Sequence, residues 1–138
     1  MPARPSTISV KSPDEKITIN VGCVDLGQID LLVQEGFYAN RTDVIRTAIR
    51  NQLALHSDAV RQAAARKTLS LGVLYVSKAD LQALKAAGET LDVRVLGLAS
   101  IDPAVTPELA LATISSLTVL GALHASPAVK AALSKRIR

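Results

Sequence analysis

The chain has 138 residues, with 16 Lys and Arg against 12 Asp and Glu, a formal net charge of +4, 49% hydrophobic and 2% aromatic content, one Cys and no Trp. That length suits one ordinary domain or two very small ones. The lone Cys excludes an internal disulfide framework or a Cys-based zinc site. The scarcity of aromatics argues against modules that stack RNA bases on Tyr, Phe or Trp. A charge of +4 permits DNA binding without arguing for it.

In chain order, residues 1–14 read as a flexible polar arm with two cations, Arg4 and Lys11, and no apolar core of the kind a signal peptide needs. Residues 16–23 alternate strictly, Ile17, Ile19, Val21 and Cys23 against Lys16, Thr18, Asn20 and Gly22. That pattern predicts a strand with one buried face, and makes Cys23 a small buried side chain. Asp25 then reads as the N-cap of a helix, closed into a capping box by Gln28. Leu26, Ile29, Leu32 and Val33 form its apolar stripe, and Gly36 ends it.

Asn40 reads as the cap of a second helix, with Asp43 in the first turn. Val44, Ile45, Ala48, Ile49, Leu53 and Leu55 follow at helical spacing. The pattern weakens through Val60 and Ala64 and stops at Arg66-Lys67. Residues 15–67 therefore form one unit of strand, helix and helix.

Residues 68–138 behave differently. Leu-Gly pairs stand at 71–72, 96–97 and 120–121, so the glycines are 25 and then 24 residues apart. Five residues after each Gly comes a capping type (Ser77, Asp102, Ser126), seven after an Ala (79, 104, 128), and twelve after a Leu (84, 109, 133). This period predicts a small three-unit strand-helix repeat, an α/β solenoid-like domain, within an α+β chain. The strands are expected at 71–76, 93–99 and 117–123, and the helices at 79–87, 107–114 and 128–135. Thr106-Pro107-Glu108 is the strongest helix start of the set. Residues 109–129 lack Asp, Glu, Lys and Arg and are numerous enough to cross a bilayer. Thr113, Ser115, Ser116, Thr118, Gly121, His124, Ser126 and Pro127 make them a poor hydrocarbon solute. They read instead as strands covered on both faces, in a chain with no membrane partner and a cytoplasmic (or, with DNA, nucleoid) location.

Residues 16–53 resemble the ribbon-helix-helix family of DNA-binding proteins (CopG/Arc/MetJ-like). The carrying residues are Lys16-Ile17-Thr18-Ile19-Asn20-Val21, the stripe Leu26, Ile29, Leu32 and Val33, and the run from Gly36 to Arg50 with its aliphatic-Arg-x-Ala-aliphatic-Arg helix. The resemblance implies an obligate homodimer. Two chains pair their strands antiparallel, four helices close one core, and the ribbon's outer face enters the major groove of double-stranded DNA. It implies base reading by Lys16, Thr18 and Asn20, types suited to base edges. It also implies phosphate binding by Asn40, Arg41 and Thr42 at a helix N-terminus. One departure is Gly22-Cys23-Val24 before Asp25, which either lengthens the ribbon or bulges it at Gly22. Another is charge: up to Lys67 there are nine Lys and Arg against seven Asp and Glu.

No paired carboxylates, metal-ligand spacing or phosphate-binding Gly loop is present, so no enzyme, cofactor, metal or small-molecule ligand is expected. His56 and His124 read as structural, and Arg46 and Arg50 as surface or interface residues. Two function classes compete. The first is a transcriptional regulator, a repressor whose C-terminal repeat drives higher-order assembly. The second is a scaffold or filament that keeps the fold as a dimerisation device. An antitoxin-like regulator with a partner-docking C-terminal domain is a further alternative.

Overall fold

The computed structural model describes residues 14–138, so the arm with Arg4 and Lys11, apart from Asp14, lies outside the described residues. The elements are α1 (Cys23–Gln34), α2 (Arg41–Leu55), α3 (Ser57–Arg66), β1 (Ser70–Val76), α4 (Lys78–Ala87), β2 (Leu91–Ile101), α5 (Pro107–Thr113), β3 (Ile114–His124) and α6 (Pro127–Ala132). They divide into an N-terminal unit, Lys16–Ala63, and a C-terminal unit, Ala64–Arg138, to which Glu15 also belongs.

In the N-terminal unit a single chain forms no strand over residues 16–22. Ile17 is 77% and Ile19 67% exposed, against the expectation of a buried face. The physical reason is that a strand is made by pairing, and this segment pairs with no strand among the described residues. The helix also begins earlier than expected. The Leu26 N–H bonds to the Gly22 carbonyl at 2.9 Å, so Gly22 is the N-cap and contributes no side-chain cap. Asp25 is not the cap; it sits in the first turn, where its carboxylate faces the positive helix end. Cys23 lies in α1 and is exposed, not buried on a strand. Gly22-Cys23-Val24 therefore neither extends nor bulges a ribbon, because it starts the helix. Gly36, at φ +85, makes the turn between helices.

Val44 is the one buried side chain on α1 and α2. Leu31, Leu32, Ile45, Ile49, Leu53 and Leu55 remain exposed. Burying each would contribute about 1.5–3 kcal/mol, so this unit holds an unfinished core. The weakening pattern after Leu55 corresponds to a break. His56 leaves helical geometry (φ −105, ψ 13) and separates α2 from α3.

The C-terminal unit is a parallel sheet in the order β1-β2-β3, with α4 and α5 as crossovers and α6 after the last strand. The register aligns Leu71, Leu96 and Leu120, then Gly72, Gly97 and Gly121. The one-residue difference in spacing falls in the connections between strands: the offset is 25 residues at every pair from β1 to β2, and 24 from β2 to β3 from Asp92 onward. One core is formed by Val76, Val93, Val95, Ala99, Ile101 and Leu117 from the strands with Leu81, Leu109, Ala110, Val129 and Leu133 from the helices and the turn after α6. Ser77, Thr106 and Ser126 each accept a backbone N–H three residues on, at 3.1–3.2 Å. Asp102 is not the middle cap. Its carboxylate accepts the Ala104 N–H at 2.9 Å and shapes the turn before Thr106.

Among the described residues, the sheet is not covered on both faces. The helices fill one side. On the other, Leu71 is 80% and Leu120 48% exposed, with Val73 and Tyr75 also exposed. The continuous apolar runs arise because one face packs on helices while the opposite face carries leucines. Among the described residues no helix is long and apolar enough to cross a membrane.

Candidate nucleic-acid interface

Lys16, Thr18 and Asn20 lie on the segment leading into α1, and all three are exposed in the single chain. They alternate with Ile17, Ile19 and Val21, so pairing this segment with a second copy would put the polar trio on one face and the apolar trio on the other. The apolar trio would then meet the exposed stripes of α1 and α2.

Asn40, Arg41 and Thr42 start α2. The Asn40 side chain accepts the Asp43 N–H at 2.8 Å, while the Asp43 carboxylate accepts the Ala39 N–H at 3.0 Å. This reciprocal pair leaves the N–H groups of Arg41 and Thr42, which by helix geometry have no intrahelical acceptor, at the positive end of the helix. Asn40 therefore serves as a cap, and its side-chain oxygen is committed to the backbone.

Arg41 is committed as well. Its Nε donates to Asp30 Oδ1 at 2.7 Å and its Nη2 to Oδ2 at 2.8 Å, tying α2 to α1. The hydrogen bonds from Arg41 hold the Asp30 carboxyl below its ordinary range, and Asp30 in turn raises the guanidinium further. Both side chains are half-exposed. The cation at this helix start thus comes with its own counter-charge. Asp30 was not legible in the sequence, because the two residues meet across a turn and share no helical spacing.

A second polar cluster lies in the C-terminal unit. Asp92 on β2 accepts a short hydrogen bond from the Ser116 hydroxyl on β3, and another from Arg94 Nε at 2.8 Å. Arg94 also reaches the Lys67 carbonyl at 3.0 Å. These bonds, the one from Ser116 foremost, hold the Asp92 carboxyl below its ordinary range. Of the two histidines, His124 pairs with Glu15 at 2.7 Å and His56 meets Gln52 at 3.3 Å. Among the described residues no cluster of His, Cys, Asp or Glu is grouped to hold a metal.

The family model for the Ribbon-Helix-Helix transcriptional regulator family matches residues 12–130. No curated protein and no solved structure matches the chain. The resemblance carried by individual residues covers under a third of the chain, whereas the family match continues through β1, β2 and β3 into α6. The strand-helix half, which resembles nothing by its residues alone, is thus part of what defines the group, and the chain belongs to the Ribbon-Helix-Helix transcriptional regulator family.

Proposed function

We propose that the chain is a homodimeric DNA-binding repressor. The family is one of transcriptional regulators that bind DNA as dimers and are typically non-enzymatic. In this reading residues 16–21 of two copies pair into a ribbon whose Lys16, Thr18 and Asn20 read base edges in the major groove. The free N–H groups of Arg41 and Thr42, behind the Asn40 cap, seat a backbone phosphate. The C-terminal unit, read as a three-unit solenoid-like repeat, joins dimers into larger assemblies, and the protein works in the cytoplasm on the nucleoid. The observation that carries the reading is the unfinished N-terminal unit, with Ile17 and Ile19 exposed and interleaved with three polar side chains.

A gel shift against the DNA upstream of the chain's own coding sequence tests it. Thr18→Ala and Asn20→Ala should each erase preference for that DNA over a scrambled sequence, at about 1–3 kcal/mol per lost base contact. Retained preference in both variants would refute the reading.

One observation favours the scaffold alternative. Arg41 is neutralised by Asp30, so the expected phosphate clamp brings little net charge. In that reading binding to DNA is weak and indifferent to Lys16, Thr18 and Asn20, and the N-terminal unit serves to pair chains.

A further inference from the structure

Among the described residues, the two outer strands of the sheet are covered only at Leu117 and at the His124 side chain. Exposed sheet edges ordinarily carry Lys, Pro or a covering segment. Here the charges of the sheet, Asp92 and Arg94, sit on the central strand. Neither β1 (SLGVLYV) nor β3 (ISSLTVLGALH) holds a Lys, Arg, Asp, Glu or Pro. The C-terminal segment bonds the outer edge of β3 at Leu117, through Arg136 and Arg138. Leu117 lies two residues before Val119, which aligns through Val95 with Ser70, the first residue of β1. Among the described residues, the outer backbone edge over residues 119–123 is thus left for a strand in the register of β1, with the His124 side chain beyond it paired to Glu15.

The two edges are also complementary. The carbonyl of Gly72 fills the place where Gly97 would carry a Cβ, and the carbonyl of Gly97 fills the same place at Gly121. At Gly72 that place meets nothing within 4 Å among the described residues. One edge therefore offers the slot, and the other ends in a glycine of the kind whose carbonyl fills it. The leucine ladder Leu71–Leu96–Leu120 runs alongside and is exposed at both ends.

We infer that β1 of one copy docks on the outer edge of β3 of a second copy, parallel, with Gly72 against Gly121 and Leu71 beside Leu120. The contact repeats between chains the one that joins β1 to β2 and β2 to β3 within a chain. Such a head-to-tail interface leaves an unused edge on each copy, so it propagates into rings or filaments instead of closing on a pair. The inference deepens the assembly reading above and rests on it.

Sedimentation velocity of the full chain over a concentration series tests both. The wild type should exceed the dimer mass and grow with concentration. Leu71→Lys alone and Leu120→Glu alone should each stop at the dimer, and the chain carrying both should grow again. Both positions are solvent-exposed, and unchanged circular dichroism checks folding. Val73→Lys with Ala122→Glu repeats the test on the next outward rung if either first variant misfolds. A wild type that stays dimeric overturns the assembly reading itself. Growth unaffected by either substitution overturns only the edge assignment. So does arrest by Leu71→Lys alone, which would mark β1 pairing with β1, or a double variant that stays dimeric.

Discussion

Arg41 and Asp30 form a two-toothed ion pair, Nε to Oδ1 at 2.7 Å and Nη2 to Oδ2 at 2.8 Å, at the helix start where a phosphate would sit. The pair joins α1 to α2 and cancels a positive charge in the same stroke. Asp30→Asn should therefore free the guanidinium and tighten binding to specific and scrambled DNA alike. Each phosphate contact steepens the plot of log K against log salt by about 0.9, so one new contact per chain steepens it by about 1.8 per dimer. Fluorescence anisotropy at several salt concentrations measures this. Because the Asp30 carboxyl lies below its ordinary range, the pair's stabilisation is present at neutral pH and lost only as pH falls through that lowered value. Between pH 5 and 8 its effect on binding should be flat.

Asp92 bridges β2 to β3 through Ser116 and steadies Arg94, which holds the Lys67 carbonyl. Its carboxyl is lowered, so its contribution is full above the ordinary carboxylate range and disappears as pH falls through the lowered value. Asp92→Asn should lower the thermal midpoint at pH 7, and the difference from wild type should shrink in acid below pH 3.8, the ordinary value. Paired melts at pH 7 and pH 3 check the sign.

The glycine ladder separates two costs that usually come together. Gly72, Gly97 and Gly121 all have φ above +120, so alanine at any of them is strained by about 1–3 kcal/mol. At Gly97 and Gly121 the new methyl would also overlap a neighbouring carbonyl, whereas at Gly72 it meets open space. Urea midpoints should fall modestly for Gly72→Ala and much further for Gly97→Ala and Gly121→Ala.

Ile19→Asp places a charge in the apolar row that a paired ribbon must bury. Each isoleucine so buried contributes about 1.5–3 kcal/mol, and a dimer contains two copies. The variant should sediment as a monomer at concentrations where wild type is at least dimeric, and lose helical circular dichroism from α1 and α2.

Much of the C-terminal unit was legible because the glycine spacing sets the register: residues one period apart stand opposite one another on adjacent strands. Local rules were less reliable where two candidates stood close together. Asp25 is a good capping type, yet α1 is capped at Gly22, since a cap is decided by where the chain turns into the helix, while Thr106, the strongest start read in the sequence, does cap α5. The open sheet face was misread because apolar runs look alike whether a strand is covered once or twice. The proposed ribbon has no counterpart in the single chain for a different reason: a strand exists only when paired, and residues 16–22 pair with no other segment among the described residues. The Arg41–Asp30 pair could not be read at all, because it depends on how two helices fold back across Gly36.

The meshing of each glycine with the carbonyl before it works as a detent. A buried face already sets the register of a strand, because a slip of one residue turns its apolar side chains outward. Here a slip of one residue would bring a side chain beneath a carbonyl at both seams of the sheet. Length changes are therefore expected to be tolerated between strands, as the uneven spacing of 25 and 24 residues already illustrates, and refused within them. A chain one residue longer after Ala87 should keep its fold, while one residue inserted between Val95 and Leu98 should lose the sheet.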